Sequence, residues 1–188
     1  MIPLPEGGAE RLDAYEQLLT TRGADLGVVA RSDLPRIRER HLLDCLRAVS
    51  AVRADDRAAV DLGSGGGLPG VVVAIACPQL VVTLAERRRN RGAFLELVVL
   101  ELGLPNAKVA IGDVGALPPT ADVCFARAFA DAKGSWAAAE TVLVPGGRLV
   151  YFAGAATGAQ ELPEDVGAQI LPPAPFASGG PLVIMSRQ

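Results

Sequence analysis

Apolar positions along the chain change their spacing near residue 55. Before it they recur at helical intervals. A first helix is predicted over residues 8–22, ending at Gly23. In SDLPRIRERHLLDCLRAVS, residues 32–50, Ile37, Leu42, Leu46 and Val49 share one helical face. Ser32 or Asp33 is the candidate N-cap of that helix, with Pro35 in its first turn. From residue 58 short β-rich runs alternate with helical stretches. AAVDL (58–62), LVVTLAE (80–86), AKVAI (107–111), ADVCFA (121–126) and GRLVYFA (147–153) predict five buried strands. Residues 68–76, 88–103 and 130–143 predict helices among them. Alternation of this kind implies parallel βαβ units in an open, Rossmann-like, doubly wound sheet. The end breaks the rhythm. DVGAQIL (165–171) and PLVIMSRQ (181–188) flank a connection too short for a crossover helix, so they predict an antiparallel hairpin on the sheet edge. GAATGAQELPED, residues 154–165, reads as a loose connection. The expected organisation is an N-terminal helical segment, 1–54, followed by one α/β domain, 55–188.

Composition fits that picture: 188 residues, 50% hydrophobic and 21% charged, are enough for one globular domain. A net charge of −3 makes the chain as a whole a poor general polyanion binder. All basic residues are arginine except Lys108 and Lys133, which genome base composition explains as readily as function. Cys45, Cys77 and Cys124 are far apart and odd in number, which argues against a zinc site or a disulfide framework. MIPLPEGGAERLDAYEQ has no signal-peptide pattern, and no apolar run approaches a membrane span. The expectation is a cytoplasmic protein without a metal.

The glycine-rich VDLGSGGGLPG, residues 60–70, carries the candidate chemistry. It has no lysine for a phosphate-binding P-loop. Gly65, Gly67 and Gly70 match the dinucleotide spacing, but the strand ends near Asp61 and the first turn glycine is Gly63, so the register is wrong. Asp61, Gly63, Gly65 and Gly67 instead fill D-x-G-x-G-x-G, the pattern that takes S-adenosylmethionine. That donor has no phosphate; bare backbone lets it approach, and a nearby carboxylate can accept from its ammonium group. Glu86, ending the second strand, is placed for ribose hydroxyls, and Asp113, after the third, for the adenine. A parallel sheet closed by a C-terminal hairpin is the arrangement of class I methyltransferases.

Against this frame the remaining reactive residues sort by chemistry. No NPPY-like motif follows the fourth strand and no Pro-Cys nucleophile is present; Cys124 reads as strand filling. His41, the only histidine, lies near Asp44 and is either a base for O-methylation or, as favoured, a structural bond to a neighbouring loop. Arg127 ends the fourth strand on the catalytic face of the sheet and is the candidate catalytic residue. Arg36, Arg40 and Arg47 share a predicted helix face, which reads first as a solvated stripe with an Arg40–Asp44 pair and second as an RNA contact. Arg87, Arg88, Arg89 and Arg91 place positive charge in the first turn of a helix, against its dipole, which suits an RNA phosphate.

RHLLDCL, VDLGSGGGLPGVVVAIACP, TLAE with NRGAFL, ELGLPNAKV and ARAFA resemble the bacterial small-subunit ribosomal RNA guanine-N7 methyltransferases, the glucose-inhibited division protein B family. The resemblance spans Glu39 to Gly154. It implies a class I fold, S-adenosylmethionine as donor and a guanine of small-subunit RNA as acceptor. Carried across, the family's cofactor contacts fall on Gly63, Leu68, Val114, Gly115 and Arg127. The chain departs from the family's Arg-x-Glu at Asp113-Val114-Gly115 and from its Lys-Gly at Ala153-Gly154. For the family's Asn-Leu-Thr the nearest segment is Asp25-Leu26-Gly27. These changes fall where substrate contacts are expected. Other readings stay open: a methyltransferase of another RNA or of a small molecule, a catalytically weak binding protein on the same fold, or an NAD-dependent enzyme.

Overall fold

The structure, a computed structural model, describes residues 3–154, 162–173 and 179–187. Most of the two connections expected over 154–165 and 172–180 lies outside them. Five parallel strands, β1 (Ala58–Leu62), β2 (Val81–Glu86), β3 (Ala107–Ile111), β4 (Ala121–Arg127) and β5 (Leu143–Phe152), are completed by β6 (Val166–Leu171) and β7 (Leu182–Arg187). The sheet order is β3-β2-β1-β4-β5-β7-β6. β7 runs antiparallel to both β5 and β6, so the expected hairpin forms, with β6 as the edge. Strand order reverses at β1 and β4, and a crevice opens at the carboxyl ends of such a pair.

Helices α1 (Gly8–Leu18), α2 (Leu43–Leu46), α3 (Gly70–Ala76), α4 (Arg89–Glu101) and α5 (Ala132–Glu140) cover the sheet. Side chains alternate across a strand, so each strand feeds two cores. Val123 and Phe125 of β4 pack with Leu12, Tyr15, Val71, Leu95 and Val98; Cys124 and Ala126 pack with Trp136 and Ala139 of α5. Leu12, Tyr15, Leu19, Ile37 and Leu42 from the N-terminal segment belong to the first of these clusters. The three cysteines are buried and free, and burial pushes the Cys45 thiol up to about 12. Among the described residues no helix is long and apolar enough to cross a membrane.

The single helix expected over 32–50 is instead a chain of short turns: 3-10 at Arg31–Arg36, π at Arg38–Leu42, α2, then 3-10 at Arg47–Ala51. Its N-cap is Ala30, not Ser32 or Asp33. Tertiary pairing explains the difference: Asp33 accepts from Arg40 Nη1 at 2.6 Å and faces His41 Nε2 at 3.1 Å. Arg40 therefore pairs with Asp33 rather than Asp44, and Asp44 takes Arg47 at 2.6 Å. Arg47 is buried and also donates to the Gly180 carbonyl at 3.1 Å, which removes it from any solvated stripe or RNA surface. The α1 helix is regular only to Leu18 and widens into a π turn over Leu19–Gly23.

Strand β5 starts before the predicted GRLVYFA. Its register against β4 shifts between the Ala121–Leu143 and Val123–Arg148 pairs, and the irregularity accommodates Pro145 inside the strand. Arg148, inside an apolar run, is buried and satisfied. It makes a two-pronged contact with Asp56 and donates through Nε to the Ala51 carbonyl at 3.1 Å. The helical segment is thereby tied to the sheet.

Candidate donor and acceptor cavities

The glycine loop after β1 is held from three sides. Ser64 N–H donates to the Ala85 carbonyl at 2.8 Å, continuing the β1–β2 pairing past the strand end. Tyr15 Oη, from α1, donates to the Gly66 carbonyl at 2.6 Å. Asp61, beneath the loop, accepts from Ser64 Oγ and from Gly70 N–H, the latter at 3.1 Å. Burial pushes the Asp61 carboxyl up to about 7, against the lowering effect of those two bonds. Asp61 thus faces the loop's own donors and is absent from the cavity lining described next.

Two glycines are required by position. At Gly63, φ is +62° and a Cβ would lie 2.5 Å from Phe129 Cδ2. At Gly67, φ is +95° and a Cβ would lie 2.5 Å from Val71 Cγ2. Either position carries both a left-handed backbone and a close neighbour, so no larger residue fits without movement.

Two cavities open at the carboxyl ends of the strands. The first, about 410 Å³, is lined by Gly63, Glu86, Arg88, Asp113, Val114 and Gly115, among others. Its volume is in the ~300–1,000 Å³ range of small-molecule sites. Glu86 is buried and fixed: Oε2 accepts from Gly65 N–H at 3.0 Å and Oε1 from Arg88 N–H at 2.8 Å. Asp113 is exposed and caps the 3-10 turn Val114–Ala116 by accepting from Gly115 N–H at 2.8 Å. Gly65, Gly67 and Leu68 are not in this lining. Gly65 supports it through Glu86, while Gly67 packs on α3.

The second cavity, about 550 Å³, is lined by His41, Asp44, Leu68, Arg127, Tyr151 and Phe152, and by Ala153 and Gly154. Ala128 lines both cavities, so they are neighbours. Arg127 faces the second cavity: Nη2 lies 2.7 Å from His41 Nδ1 and Nε lies 3.8 Å from Asp44 Oδ2. Arginine only donates, so His41 Nδ1 is the acceptor there and its proton sits on Nε2, facing Asp33. Burial and the Arg127 charge lower the His41 pKa below its ordinary value. The departures from the family pattern are therefore divided: Asp113-Val114-Gly115 faces the first cavity and Ala153-Gly154 the second.

The predicted arginine clusters also divide. Arg87, Arg88 and Arg89 are exposed around the start of α4, and Arg91 donates to the Gly27 carbonyl at 3.0 Å. Arg87, Arg88 and Arg91 line the first cavity. Arg36 is exposed, away from Arg47. Phe129, Tyr15 and Asp33 were not anticipated as site residues. Tyr15 and Asp33 carry no motif, but Phe129 follows Arg127 in ARAFA and could have been singled out as an aromatic at a strand end.

A family profile described as rRNA small subunit methyltransferase G matches residues 8–168. The chain is 40% identical over 165 residues to the ribosomal RNA small subunit methyltransferase G of Salinispora arenicola, covering 80% of this chain and 67% of that protein. It is 40% identical over 153 residues to the protein of the same name from Salinispora tropica, covering 76% and 62% respectively. The chain thus spans under two thirds to two thirds of the length of these curated relatives. An O-methyltransferase from Bacillus cereus, solved with SAH, shares the fold: TM-score 0.62 and 15% identity, over 100% of this chain and 93% of that one. With its β1 glycine loop, its strand order and a profile match over most of its length, the chain belongs to the rRNA small subunit methyltransferase G family.

Proposed function

We propose that the chain methylates N7 of a guanine in small-subunit ribosomal RNA, with S-adenosylmethionine as donor. The observation that carries the acceptor class is the state of the two possible bases in the second cavity. His41 is committed to Arg127 and Asp33, and Asp44 to Arg47 and Arg127. Guanine N7 has a lone pair and no proton to lose, so its methylation needs no base. An acceptor hydroxyl would need one, and an amine would have a proton to shed after transfer.

The residues of the first cavity suit the donor. The Glu86 carboxylate, anchored by two backbone N–H groups, keeps lone pairs for ribose hydroxyls. Gly63 supplies a wall that a side chain would fill, and Asp113 with Val114 and Gly115 supplies a polar and apolar edge for a purine. When bound, S-adenosylmethionine supplies a methyl group on a sulfonium. The work left to the protein is alignment. Arg127 presents its remaining donors to the second cavity, where guanine O6 is a matching acceptor. Tyr151 and Phe152 offer aromatic surface to a base taken out of its stack. Arg87, Arg88 and Arg89 supply exposed positive charge for RNA phosphates; Arg36 and Arg40 are the secondary candidates, and Arg40 is held by Asp33.

Titration calorimetry tests both partners. S-adenosylhomocysteine is expected to bind and NAD not to. In its presence the log–log salt dependence of RNA affinity should become shallower by about 2 in the Arg87→Ser/Arg89→Ser double variant. Selective NAD binding, or an unchanged salt slope, contradicts the corresponding half.

A further inference from the structure

Resting on that reading of the second cavity, we infer that His41 is the positioning residue for Arg127, and that the chain Arg40–Asp33–His41–Arg127 switches acceptor engagement off when His41 gains a proton. The links are explicit. Arg40 Nη1 donates to Asp33 Oδ1 at 2.6 Å; the other oxygen of Asp33 faces His41 Nε2 at 3.1 Å; Arg127 Nη2 donates to His41 Nδ1 at 2.7 Å. Each contact fixes the next. Arg40 orients the Asp33 carboxylate, Asp33 selects the Nε2–H tautomer, and that tautomer leaves a lone pair on Nδ1 for the guanidinium.

The charged groups around the ring come from three elements: Arg127 from the end of β4, Asp33 from the preceding 3-10 turn, and Arg40 and Asp44 from its own helical segment. Protonating Nδ1 would set N–H against N–H at 2.7 Å and place a second cation beside Arg127. The contact must then break. Asp44, at 3.8 Å from Arg127 and already paired with Arg47, is left as the remaining hold. The His41 pKa is lowered in the folded protein, so its neutral form adds stability above the ordinary histidine value, and that stability is lost as pH falls through the lowered one. Cofactor binding, in the other cavity, does not pass through these atoms.

His41 is the only histidine, so its imidazole 15N resonances are unambiguous. The expected spectrum shows the Nε2–H tautomer, titrating below the ordinary value of about 6.5. In Arg127→Ala the pKa should rise. An Nδ1–H tautomer, or a titration indifferent to Arg127, overturns the relay without reference to any substrate. The kinetic arm uses kcat/KM for small ribosomal subunits. Below the His41 pKa the wild type should lose about tenfold per pH unit. His41→Asn keeps an untitratable acceptor near the Nδ1 position, so its acid limb should flatten, with S-adenosylhomocysteine affinity retained. His41→Ala should raise KM for the subunit more than it lowers kcat. An acid limb in His41→Asn that keeps the midpoint of the wild-type His41 resonance overturns the switch. If the wild type transfers nothing to subunits, the proposed acceptor fails, while the resonance experiment still decides the relay.

Discussion

Arg127→Ala is expected to lower kcat/KM for methyl transfer to small ribosomal subunits by about 10²-fold. Its affinity for S-adenosylhomocysteine should stay within about twofold of wild type, because nothing in the donor cavity is then removed. The asymmetry follows from placement. Arg127 lines the cavity that holds His41, Asp44 and Tyr151, whereas Glu86, Asp113 and Gly115 line the other. A guanidinium held on one side by His41 and Asp44 has its donors directed before the base arrives. That preorganisation is what alanine loses. Lysine should restore little of it, since an ammonium cannot serve His41 and an acceptor oxygen with one planar fork. Steady-state kinetics and calorimetry on the same preparation check both halves. Equal losses in cofactor affinity and turnover would place Arg127 on the donor instead.

The second large effect concerns stability. Arg148→Ala is expected to cost about 3–5 kcal/mol, because it leaves Asp56 charged and buried without its partner. At this chain length that corresponds to a Tm loss on the order of 10 °C. Arg148 is 2% and Asp56 4% exposed, and Arg148 also satisfies the Ala51 carbonyl, so the carboxylate and the carbonyl lose a partner together. Burial raises the Asp56 carboxyl, but the bonds from Arg148 and the Arg53 N–H outweigh it and hold the pKa below the ordinary value. The stabilisation is therefore present above the ordinary carboxylate pKa and disappears as pH falls through the lowered one. Arg148→Met with Asp56→Leu should cost less than either single change, since no orphaned charge remains. Arg187→Ala is the control. Its pair with Glu140 is exposed, with Arg187 78% accessible, and its loss should cost under about 1 kcal/mol. Denaturant unfolding of these five variants checks the ranking, and an Arg148→Ala protein as stable as Arg187→Ala would contradict it.

What the sequence made legible is what local periodicity encodes. The strands AAVDL, AKVAI and ADVCFA, the helices between them and the terminal hairpin appear where alternation and turn lengths put them. The glycine loop was legible because backbone approach leaves a compositional trace. Side-chain partners were not. Asp33 looked like a cap, yet its carboxylate is drawn to Arg40 and His41, and the expected helix breaks into short turns. Arg47 lay at helical spacing from Arg36 and Arg40, yet it turns inward to Asp44 and Gly180. Asp61 sat in the loop motif, yet it serves Ser64 and Gly70 rather than the cavity. Spacing within an element reports which residues share a face; which element lies opposite is decided by the tertiary fold. A charge inside an apolar strand pointed to a buried partner at Arg148 in GRLVYFA, but the same sign at Lys108 in AKVAI falls on an exposed side chain.

The central claim is that donor and guanine meet where the two cavities adjoin at Ala128. Its most direct test is methyl transfer from labelled S-adenosylmethionine to small ribosomal subunits that lack the family's guanine-N7 mark, with the modified nucleotide mapped. Label in a single N7-methylguanosine, lost in Arg127→Ala, is the predicted result. No incorporation by a preparation shown to bind S-adenosylhomocysteine, or label on any other atom, would contradict it.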